Sequence, residues 1–398
     1  MARVRKKTGK VAMGDMLKRL NKKYGMRVAH NLNEENPTEV KEWIPTGSRW
    51  LDSIICKGQI AGIPVGKITE IAGLSSTGKS YLAVNIAANA QKMGHYVVYF
   101  DSESAIDPEF IRKAGVDTDP EKFMYIQAVT VEQVLEMIEE FIGTEQQTLL
   151  IWDSIANTPT EADKEGDFNP NSSVGKKART LSLAFQKLTI PIANAQCTLL
   201  GLNQLKTVIA SNHAQRMEAL SEPYFTPGGK AMVYNASLRI WLTGRKAKSA
   251  YVKDENGFTI GSEVKATLKK SRFGTERRQC TFQILWGDDE EVRILDEESW
   301  FEAIKGSEHI LQSGAWYTLV YEDGTTEKFQ ATKWKGKLEN PRFKNRILEL
   351  MDIEVIGKYR DRQGSVESFE DIDGDVTSNP SRQEASTSVD ADGREASE

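Results

Sequence analysis

The chain has 398 residues but only three cysteines and four histidines. The cysteines, Cys56, Cys197 and Cys280, lie far apart in the sequence; they match neither a disulfide framework nor a metal site and are typical of a reducing compartment. The histidines are also scattered, which argues against a histidine-built metal site. A secretory signal and an apolar run of membrane-spanning length are lacking as well, so we expect a cytoplasmic protein without membrane contact.

The sequence also has little net charge, −5 at pH 7. Because no overall basicity indicates nucleic acid, any nucleic-acid site must be local. The charge is uneven, however: the first ten residues are basic, whereas residues 361–398 carry eleven acidic side chains against three arginines. Apolar residues make up 39% of the chain, which is enough for one large core with one or two smaller domains beside it.

A phosphate-binding motif occupies residues 73–80, where GLSSTGKS matches G-x-x-x-x-G-K-[ST]. Residues 67–72 read as a short strand and 80–93 as an alanine-rich helix, which are the flanks that such a loop requires. Glycines let backbone N–H groups close around phosphate, Lys79 reaches the β- and γ-phosphates, and the Ser80 hydroxyl can hold Mg²⁺. The alternative, a Gly/Ser-rich surface turn, would need an eight-residue match by accident. The motif therefore predicts binding of a nucleoside triphosphate.

Strand-like apolar runs alternate with helical stretches between residues 44 and 243. The runs are 67–72, 95–100, 148–152, 197–202 and 237–242. This alternation predicts an α/β fold with a mostly parallel sheet covered by helices. Residues 263–269 and 278–286 then predict an antiparallel extension of that sheet.

The remaining segments divide the chain into four predicted regions. They are a basic arm with an amphipathic helix (14–24) and a linker in 1–43, the α/β core in 44–288, a small C-terminal α+β domain in 289–360, and an acidic tail in 361–398. We expect the tail to be disordered, because its composition offers almost nothing to bury.

Acidic and amide side chains end three of the predicted strands. Asp153 ends the apolar strand 148–152 in a Walker B arrangement, in which it would hold the water shell of Mg²⁺. Glu103 follows the strand 95–100, and Gln204 follows 197–202, where an amide can sense a γ-phosphate by hydrogen bonding. Ligands of open α/β sheets bind at the carboxyl ends of the strands, so these side chains and the phosphate loop should surround one crevice.

The order of these motifs resembles that of the RecA-type homologous recombinases, as a bacterial or phage-like member. The resemblance runs from Gly14 to Gly357 and rests on a series of segments rather than on one motif. They are 45–48 (PTGS) with Leu51-Asp52, 73–80, 101–108 (DSESAIDP), 148–154, 201–204 (GLNQ), 228–229 (GG), 282–287 (FQILWG) and 314–317 (GAWY). The fold that it implies is a RecA-like P-loop NTPase core with a short N-terminal helical segment for subunit contact and a small C-terminal α+β domain.

The resemblance implies roles for residues around ATP and Mg²⁺. Glu103 would be the general base for the attacking water, Gln204 the switch that reports the γ-phosphate, and Lys270 and Arg272 would reach ATP from the neighbouring subunit. Asp107 would read the adenine amino group, with Phe110 stacking nearby. Together with these two, the expected nucleotide contacts are Gly73, Ser75, Ser76, Thr77, Gly78, Lys79, Ser80 and Tyr81, and the expected metal-holding residues are Ser80 and Asp153.

Two loops would contact DNA by the same resemblance. In the first, 161–179, Val174 would wedge between bases while Lys176 and Arg179 contact phosphates. The second, 205–229, is longer than the usual bacterial pattern and interleaves cations with aromatics, a composition that suits single-stranded DNA. Its candidate contacts are Lys206, Arg216, Tyr224 and Phe225.

The implied activity is a DNA-dependent ATPase that forms helical filaments on single-stranded DNA and exchanges strands with homologous double-stranded DNA. Single-strand-binding and mediator proteins are further partners that the resemblance suggests, and the bacterial cytoplasm or a phage-infected cell is the implied location. Two other classes are a helicase loader or repair ATPase without strand exchange, and a nonenzymatic scaffold. A zinc ribbon or protease-like extension, which often accompanies the former, is not visible, and intact Lys79, Ser80, Glu103 and Asp153 argue against the latter.

The acidic tail gives a prediction that depends on charge alone. Residues 361–398 have a net charge of −8 and can compete with DNA phosphates for the basic loops, a competition that Mg²⁺ or salt screens. Truncation after Lys358 should leave the fold and ATP binding intact and strengthen binding to duplex DNA, most visibly at low Mg²⁺. Equal duplex affinity of the two forms across a Mg²⁺ titration would mean that the tail only solubilises the protein.

Overall fold

The computed structural model describes most of the chain between Met13 and Lys358. The described residues are 13–24, 28–34, 36, 38–104, 106–144, 146–165, 175–208, 217, 220, 222–244, 250–274, 276–286 and 292–358. The predicted basic arm and acidic tail lie outside them, as do the DNA-contact candidates Val174 and Arg216.

Seventeen strands are found in this part of the chain. They are β1 (Trp43–Ile44), β2 (Ile63–Pro64), β3 (Ile68–Gly73), β4 (Tyr96–Asp101), β5 (Phe123–Gln127), β6 (Thr148–Asp153), β7 (Thr198–Gln204), β8 (Lys206–Thr207), β9 (Tyr224–Phe225), β10 (Leu238–Gly244), β11 (Tyr251–Lys253), β12 (Thr259–Ser271), β13 (Gln279–Leu285), β14 (Arg293–Leu295), β15 (Ile310–Ser313), β16 (Trp316–Val320) and β17 (Thr326–Gln330).

The helices alternate with these strands through the core. They are α1 (Met13–Tyr24), α2 (Arg49–Ile55), α3 (Lys79–Lys92), α4 (Pro108–Lys113), α5 (Val131–Gly143), α6 (Glu161–Glu165), α7 (Lys176–Asn194), α8 (Ala231–Asn235), α9 (Asp296–Ile304), α10 (Trp334–Leu338) and α11 (Pro341–Met351), with a 3₁₀ turn at Ala331–Lys333 and a π-helical turn at Asp352–Gly357. No helix of the described residues is both long and apolar enough to cross a membrane.

One ten-stranded sheet forms the centre of the molecule, with the order β14-β13-β12-β10-β3-β7-β6-β4-β5 and β11 beside β12. The six strands from β10 to β5 are parallel to one another, whereas β11 to β14 pair antiparallel, as do β10 and β12. The predicted α/β class, mostly parallel sheet and antiparallel extension are therefore confirmed. The five predicted core strands match β3, β4, β6, β7 and β10 to within one or two residues at their ends.

Both faces of the sheet are buried, which explains the continuous apolar runs of its strands. Alternate side chains of β3, β4, β6 and β7 pack on one face against α2, α3 and α4. The intervening side chains pack on the other face against α5, α7 and α8. The phosphate loop and the helix starts meet at the carboxyl ends of the parallel strands, which places the site at that edge.

The C-terminal part has a separate apolar cluster. A three-stranded antiparallel sheet, β15-β16-β17, packs against α9, α10 and α11. Its core is aromatic: Phe329 lies between Phe301, 5.8 Å away, and Phe343, 5.3 Å away between ring centroids. This is the small C-terminal α+β unit that the sequence predicts.

A buried ion pair lies on the second face of the central sheet. The Arg239 Nε on β10 donates to the Glu70 carboxylate on β3 at 2.6 Å, and the two side chains are 8% and 0% exposed. Asn203 on β7 donates to the other Glu70 oxygen at 2.9 Å, so three adjacent strands share one carboxylate. A carboxylate at this depth is tolerated because these charge-assisted bonds replace water.

The ion pair gives a prediction about stability. Arg239→Met should lower the free energy of unfolding by about 3–5 kcal/mol, because it leaves the Glu70 charge buried without its cation. Urea unfolding followed by tryptophan fluorescence measures this change.

Thr69→Val is the control, on β3, the strand that carries Glu70. Its buried hydroxyl has no hydrogen-bond partner among the described residues, so the substitution should be neutral or slightly stabilising. An Arg239→Met variant as stable as Thr69→Val would contradict the argument.

Candidate nucleotide and DNA-binding site

The phosphate loop connects the end of β3 to the start of α3. Gly73 is required because a Cβ there would lie 2.3 Å from the Thr77 hydroxyl, and Gly78 has a left-handed φ of +83°. Gly78 is also the residue before the first turn of α3, and no side chain caps that helix end. The N–H groups of the first turn are therefore free to bind phosphate, where the helix dipole favours negative charge.

Lys79 folds back over this loop. Its ammonium donates to the carbonyls of Gly73 at 3.3 Å and Leu74 at 3.0 Å. Burial lowers the pKa of Lys79, while the nearby carboxylates of Asp153 and Glu103 act in the opposite direction. An ammonium that is partly removed from water in this way is ready to exchange carbonyl oxygens for phosphate oxygens.

Asp153 lies at the end of β6, next to the first turn of α3. Its Oδ2 accepts from the Ser80 hydroxyl and from the Tyr99 hydroxyl, each at 2.7 Å. Burial raises the pKa of Asp153, and these two hydrogen bonds oppose that rise. A hydroxyl and a carboxylate side by side beneath a phosphate loop are the oxygen donors that Mg²⁺ takes in nucleotide sites, so Ser80 and Asp153 fit the metal.

Glu103 lies in the turn after β4, the strand that pairs with β6, and it lines the same cavities as Asp153 at the end of β6. Its Oε1 accepts from the Ser154 hydroxyl at 2.9 Å and from the Asn157 amide at 2.5 Å. The turn is held by the buried Asp101, which accepts from the backbone N–H groups of Glu103 and Ser104. The two donors fix one oxygen of Glu103, and no described residue donates to the second oxygen.

A cavity of about 460 Å³ opens beside this carboxylate, lined by Glu103, Ser80 and three aromatic rings. Tyr81 contacts Phe110 edge-to-face with ring centroids 4.7 Å apart, and Trp286 is 5.9 Å from Tyr81. Flat aromatic surfaces of this kind suit a nucleobase. Asp107 lines the same cavity and accepts from the Glu109 N–H as the N-cap of α4.

A smaller adjoining cavity of about 160 Å³ is formed by the phosphate loop itself. Ser75, Ser76, Thr77, Gly78 and Lys79 line it. Gln204, the last residue of β7, and Glu103 line this cavity as well. All the sequence-predicted nucleotide residues except Lys270 and Arg272 thus lie at one edge of the sheet.

Lys270 and Arg272 lie apart from the two cavities, at the end of β12. The Lys270 ammonium donates to the carbonyls of Val233 at 2.7 Å and Tyr234 at 3.0 Å. Arg272 donates to the Tyr234 carbonyl as well, at 3.0 Å. Both cations therefore cover the C-terminal end of α8 in their own chain.

The described part of the first DNA loop consists of its two ends. Lys176 and Arg179 are exposed in the first turn of α7, and α6 forms the opposite end. Between them, Lys177 points inward and donates to the carbonyls of Ile155 and Ala156. Val174 lies outside the described residues.

The second predicted DNA loop begins and ends in a short antiparallel ladder. Lys206 on β8 pairs with Phe225 on β9, and both are exposed. Tyr224 packs beside Trp241 and Leu205 in a small apolar cluster. On the returning arm, Thr226 accepts from Arg239 at 3.2 Å and the Pro227 carbonyl accepts from Asn203 at 3.1 Å, so the buried ion-pair network also holds this loop.

Several contacts at the site were not anticipated from the sequence. Tyr99 donates to Asp153 and Asn157 donates to Glu103 from positions that no short motif marks, and in the sequence Trp286 belongs only to the segment 282–287. The position of Trp286 at the end of β13, beside the strand-end crevice, is the signal that could have identified it.

Comparison with known proteins agrees with this geometry. The family model of the RecA N-terminal domain matches residues 11–290. The protein RecA of Saccharopolyspora erythraea is 32% identical over 331 residues, covering 83% of this chain and 88% of the relative. That of Mannheimia haemolytica is 32% identical over 327 residues, covering 81% and 82%, and that of Haemophilus ducreyi is 30% identical over 340 residues, covering 84% of each. This chain belongs to the RecA family.

Proposed function

We propose that this protein is a DNA-dependent ATPase that forms helical filaments on single-stranded DNA and catalyses homologous pairing and strand exchange. The observation that carries the proposal is the continuity of two sites. β7 ends at Gln204 beside the phosphate loop, and β8, which opens the second DNA loop, begins two residues later at Lys206. A change at the nucleotide can therefore reach the DNA loop through one residue.

The residues at the strand ends divide the work of nucleotide binding. The loop amides, the start of α3 and Lys79 bind the phosphates, and Ser80 with Asp153 holds Mg²⁺. Tyr81, Phe110 and Trp286 receive the base, and Asp107 accepts from its amino group. When bound, ATP supplies the phosphoryl group that is transferred to water.

Glu103 is the proposed general base. Ser154 and Asn157 hold its Oε1, which leaves Oε2 to accept a proton from the attacking water. Gln204 forms a hydrogen bond on the γ-phosphate side of the loop without adding charge. Its position therefore depends on whether the γ-phosphate is present, and the second DNA loop begins directly after it.

Lys270 and Arg272 are proposed to complete the site of a neighbouring subunit. They lie outside the two cavities of their own chain, whereas cations that neutralise transition-state charge must touch the phosphates. Head-to-tail assembly that does not close gives a helical filament and brings such cations to the next subunit.

DNA is proposed to bind across the two loop stems. Lys176, Arg179 and Lys206 supply exposed positive charge, and Tyr224 and Phe225 supply stacking surface. As the family resemblance implies, we also propose that Val174 wedges between bases and that Arg216 contacts DNA.

We propose four regions, with subunit contact in 1–43, the ATPase core in 44–288, the small domain in 289–360 and the acidic tail in 361–398. Single-strand-binding and mediator proteins are proposed partners, and the bacterial cytoplasm or an infected bacterial cell is the proposed location. Electron microscopy with single-stranded DNA and a nonhydrolysable ATP analogue tests the function directly. Absence of helical filaments under these conditions would overturn the proposal.

Two substitutions separate nucleotide binding from hydrolysis. Lys79→Ala should weaken ATP binding, because the phosphates lose their ammonium. Glu103→Gln should bind ATP and form filaments but lose most turnover, by about 10²–10⁴-fold, because an amide cannot accept the proton of water. Binding of a fluorescent ATP analogue and steady-state phosphate release distinguish the two. Normal turnover in Glu103→Gln would move the base to another residue.

Mixing experiments test catalysis across subunits. Arg272→Ala and Glu103→Gln subunits should each be inactive alone, but their mixture should regain some turnover. A junction that joins the intact Glu103 of one subunit to the intact Arg272 of the next has a complete site. If mixed filaments are demonstrated and turnover stays absent, the site is completed within one chain.

A further inference from the structure

A half-buried lysine connects the end of the first DNA loop to the turn beside Glu103. Lys177 belongs to the first turn of α7, which begins directly after the loop. Its ammonium donates to the Ala156 carbonyl at 2.8 Å and to the Ile155 carbonyl at 3.3 Å. Its neighbours Lys176 and Arg179 are exposed, so Lys177 is the lysine of this turn that faces the protein.

The two carbonyls belong to the turn that holds Glu103. Residues 154–157 follow β6, and Ser154 and Asn157, at the two ends of this turn, both donate to Glu103 Oε1. The turn is itself tied to β7, because the Ile155 N–H donates to the Leu202 carbonyl at 2.9 Å. Lys177 on α7 and Glu103 are thus connected through this one turn, by hydrogen bonds to its carbonyls on one side and from its side chains on the other.

The burial of Lys177 and the charges around it indicate that its ammonium is held at one place in the fold. Burial lowers the pKa of Lys177, and Asp163 on the opposite stem of the loop partly offsets that effect. Lys206, which opens the second DNA loop, lowers the pKa further, and Glu132 raises it. Desolvating an ammonium costs free energy, and the two carbonyl oxygens compensate for the lost water. An exposed lysine at this point would avoid that cost.

We infer that Lys177 is a positioning residue that transmits the placement of the first DNA loop to Glu103. The inference rests on the proposed function, in which this loop contacts DNA and Glu103 is the base. Because α7 begins where the loop ends, a displacement of its first turn on DNA binding moves the ammonium and with it the 154–157 turn. Glu103 is then aligned when DNA is bound, so hydrolysis responds to DNA.

Lys177→Met tests the inference, because methionine keeps much of the aliphatic stem and removes the charge. At saturating single-stranded DNA we expect kcat for ATP hydrolysis to fall by about 10–100-fold, the size of effect that a misplaced catalytic group produces. Binding of the ATP analogue and the affinity for single-stranded DNA should stay as in the unsubstituted protein. The salt dependence of DNA binding distinguishes this role from a phosphate contact. If Lys177 contacted a DNA phosphate, Lys177→Met would lower the slope of log K for DNA binding against log salt by about 0.7 for a single strand.

Two further lysines on α7 serve as references. Lys187→Met makes the same charge change in a lysine that pairs with Glu139 at the surface, and it should alter neither hydrolysis nor DNA binding. Lys176→Met removes a proposed phosphate contact and should lower DNA affinity and the salt slope. Lys177→Met should resemble neither variant.

The second link is tested with Asn157→Ala, which removes one donor to Glu103. If Lys177 acts through this turn, the double variant should lose little more than the worse single variant, because both substitutions interrupt one series of contacts. If the fold-losses of the two single variants multiply in the double variant, the inference is overturned. Lys177→Arg, which can still donate to both carbonyls, should recover part of the DNA stimulation; equal loss in the Arg and Met variants would overturn it too.

The outcomes separate this inference from the function on which it rests. Absence of DNA-stimulated hydrolysis in the unsubstituted protein would reject the proposed function itself. If Glu103→Gln abolishes DNA-stimulated hydrolysis but the Lys177→Met variant retains it in full, only the inference is rejected. A Lys177→Met variant with weaker DNA binding, a lower salt slope and unchanged kcat at saturation would identify Lys177 as a phosphate contact instead.

Discussion

The shared carboxylate of Glu70 is the interaction on which the functional edge of the sheet depends. It joins Arg239 on β10 and Asn203 on β7 across the strand that leads into the phosphate loop. Arg239 and Asn203 in turn bind the returning arm of the second DNA loop at Thr226 and Pro227. Because an unpaired charge at this depth costs several kcal/mol, the three strands and the loop arm keep one relative arrangement.

The nucleotide site is built from charges that are removed from water before any ligand arrives. Burial lowers the pKa of Lys79 and raises the pKa of Asp153, and each of the two groups opposes the shift of the other. Such groups interact strongly with an arriving phosphate or metal because little water has to be displaced. The phosphate loop, α3 and β6 are therefore arranged for binding by the fold itself.

The sequence predicted the parts of this site that depend on local chemistry. The loop at 73–80 and the strand end at Asp153 have fixed spacings, because backbone N–H groups and a metal-holding acid must lie at set distances from the phosphates. The strand β5 and the partners Tyr99, Asn157 and Lys177 were missed for one reason: each is defined by contacts between residues distant in sequence. Apolar periodicity indicates that a residue is buried but does not identify its neighbours.

The role that we propose for Lys270 and Arg272 links assembly to the predicted DNA loops. Both cations are held by carbonyls at the end of α8, and α8 follows the Gly228-Gly229 pair that closes the second loop. Ala231 and Met232 of this short helix are buried in the cluster on the second face of the sheet, so α8 is held by that packing as well as by the loop before it and the strand after it. In the proposed function, DNA bound in the second loop acts on the cations offered to a neighbour, while the first loop acts through Lys177 on Glu103 of the same chain. On that proposal both halves of a shared active site respond to DNA, and hydrolysis requires a filament in which neighbouring subunits have bound DNA.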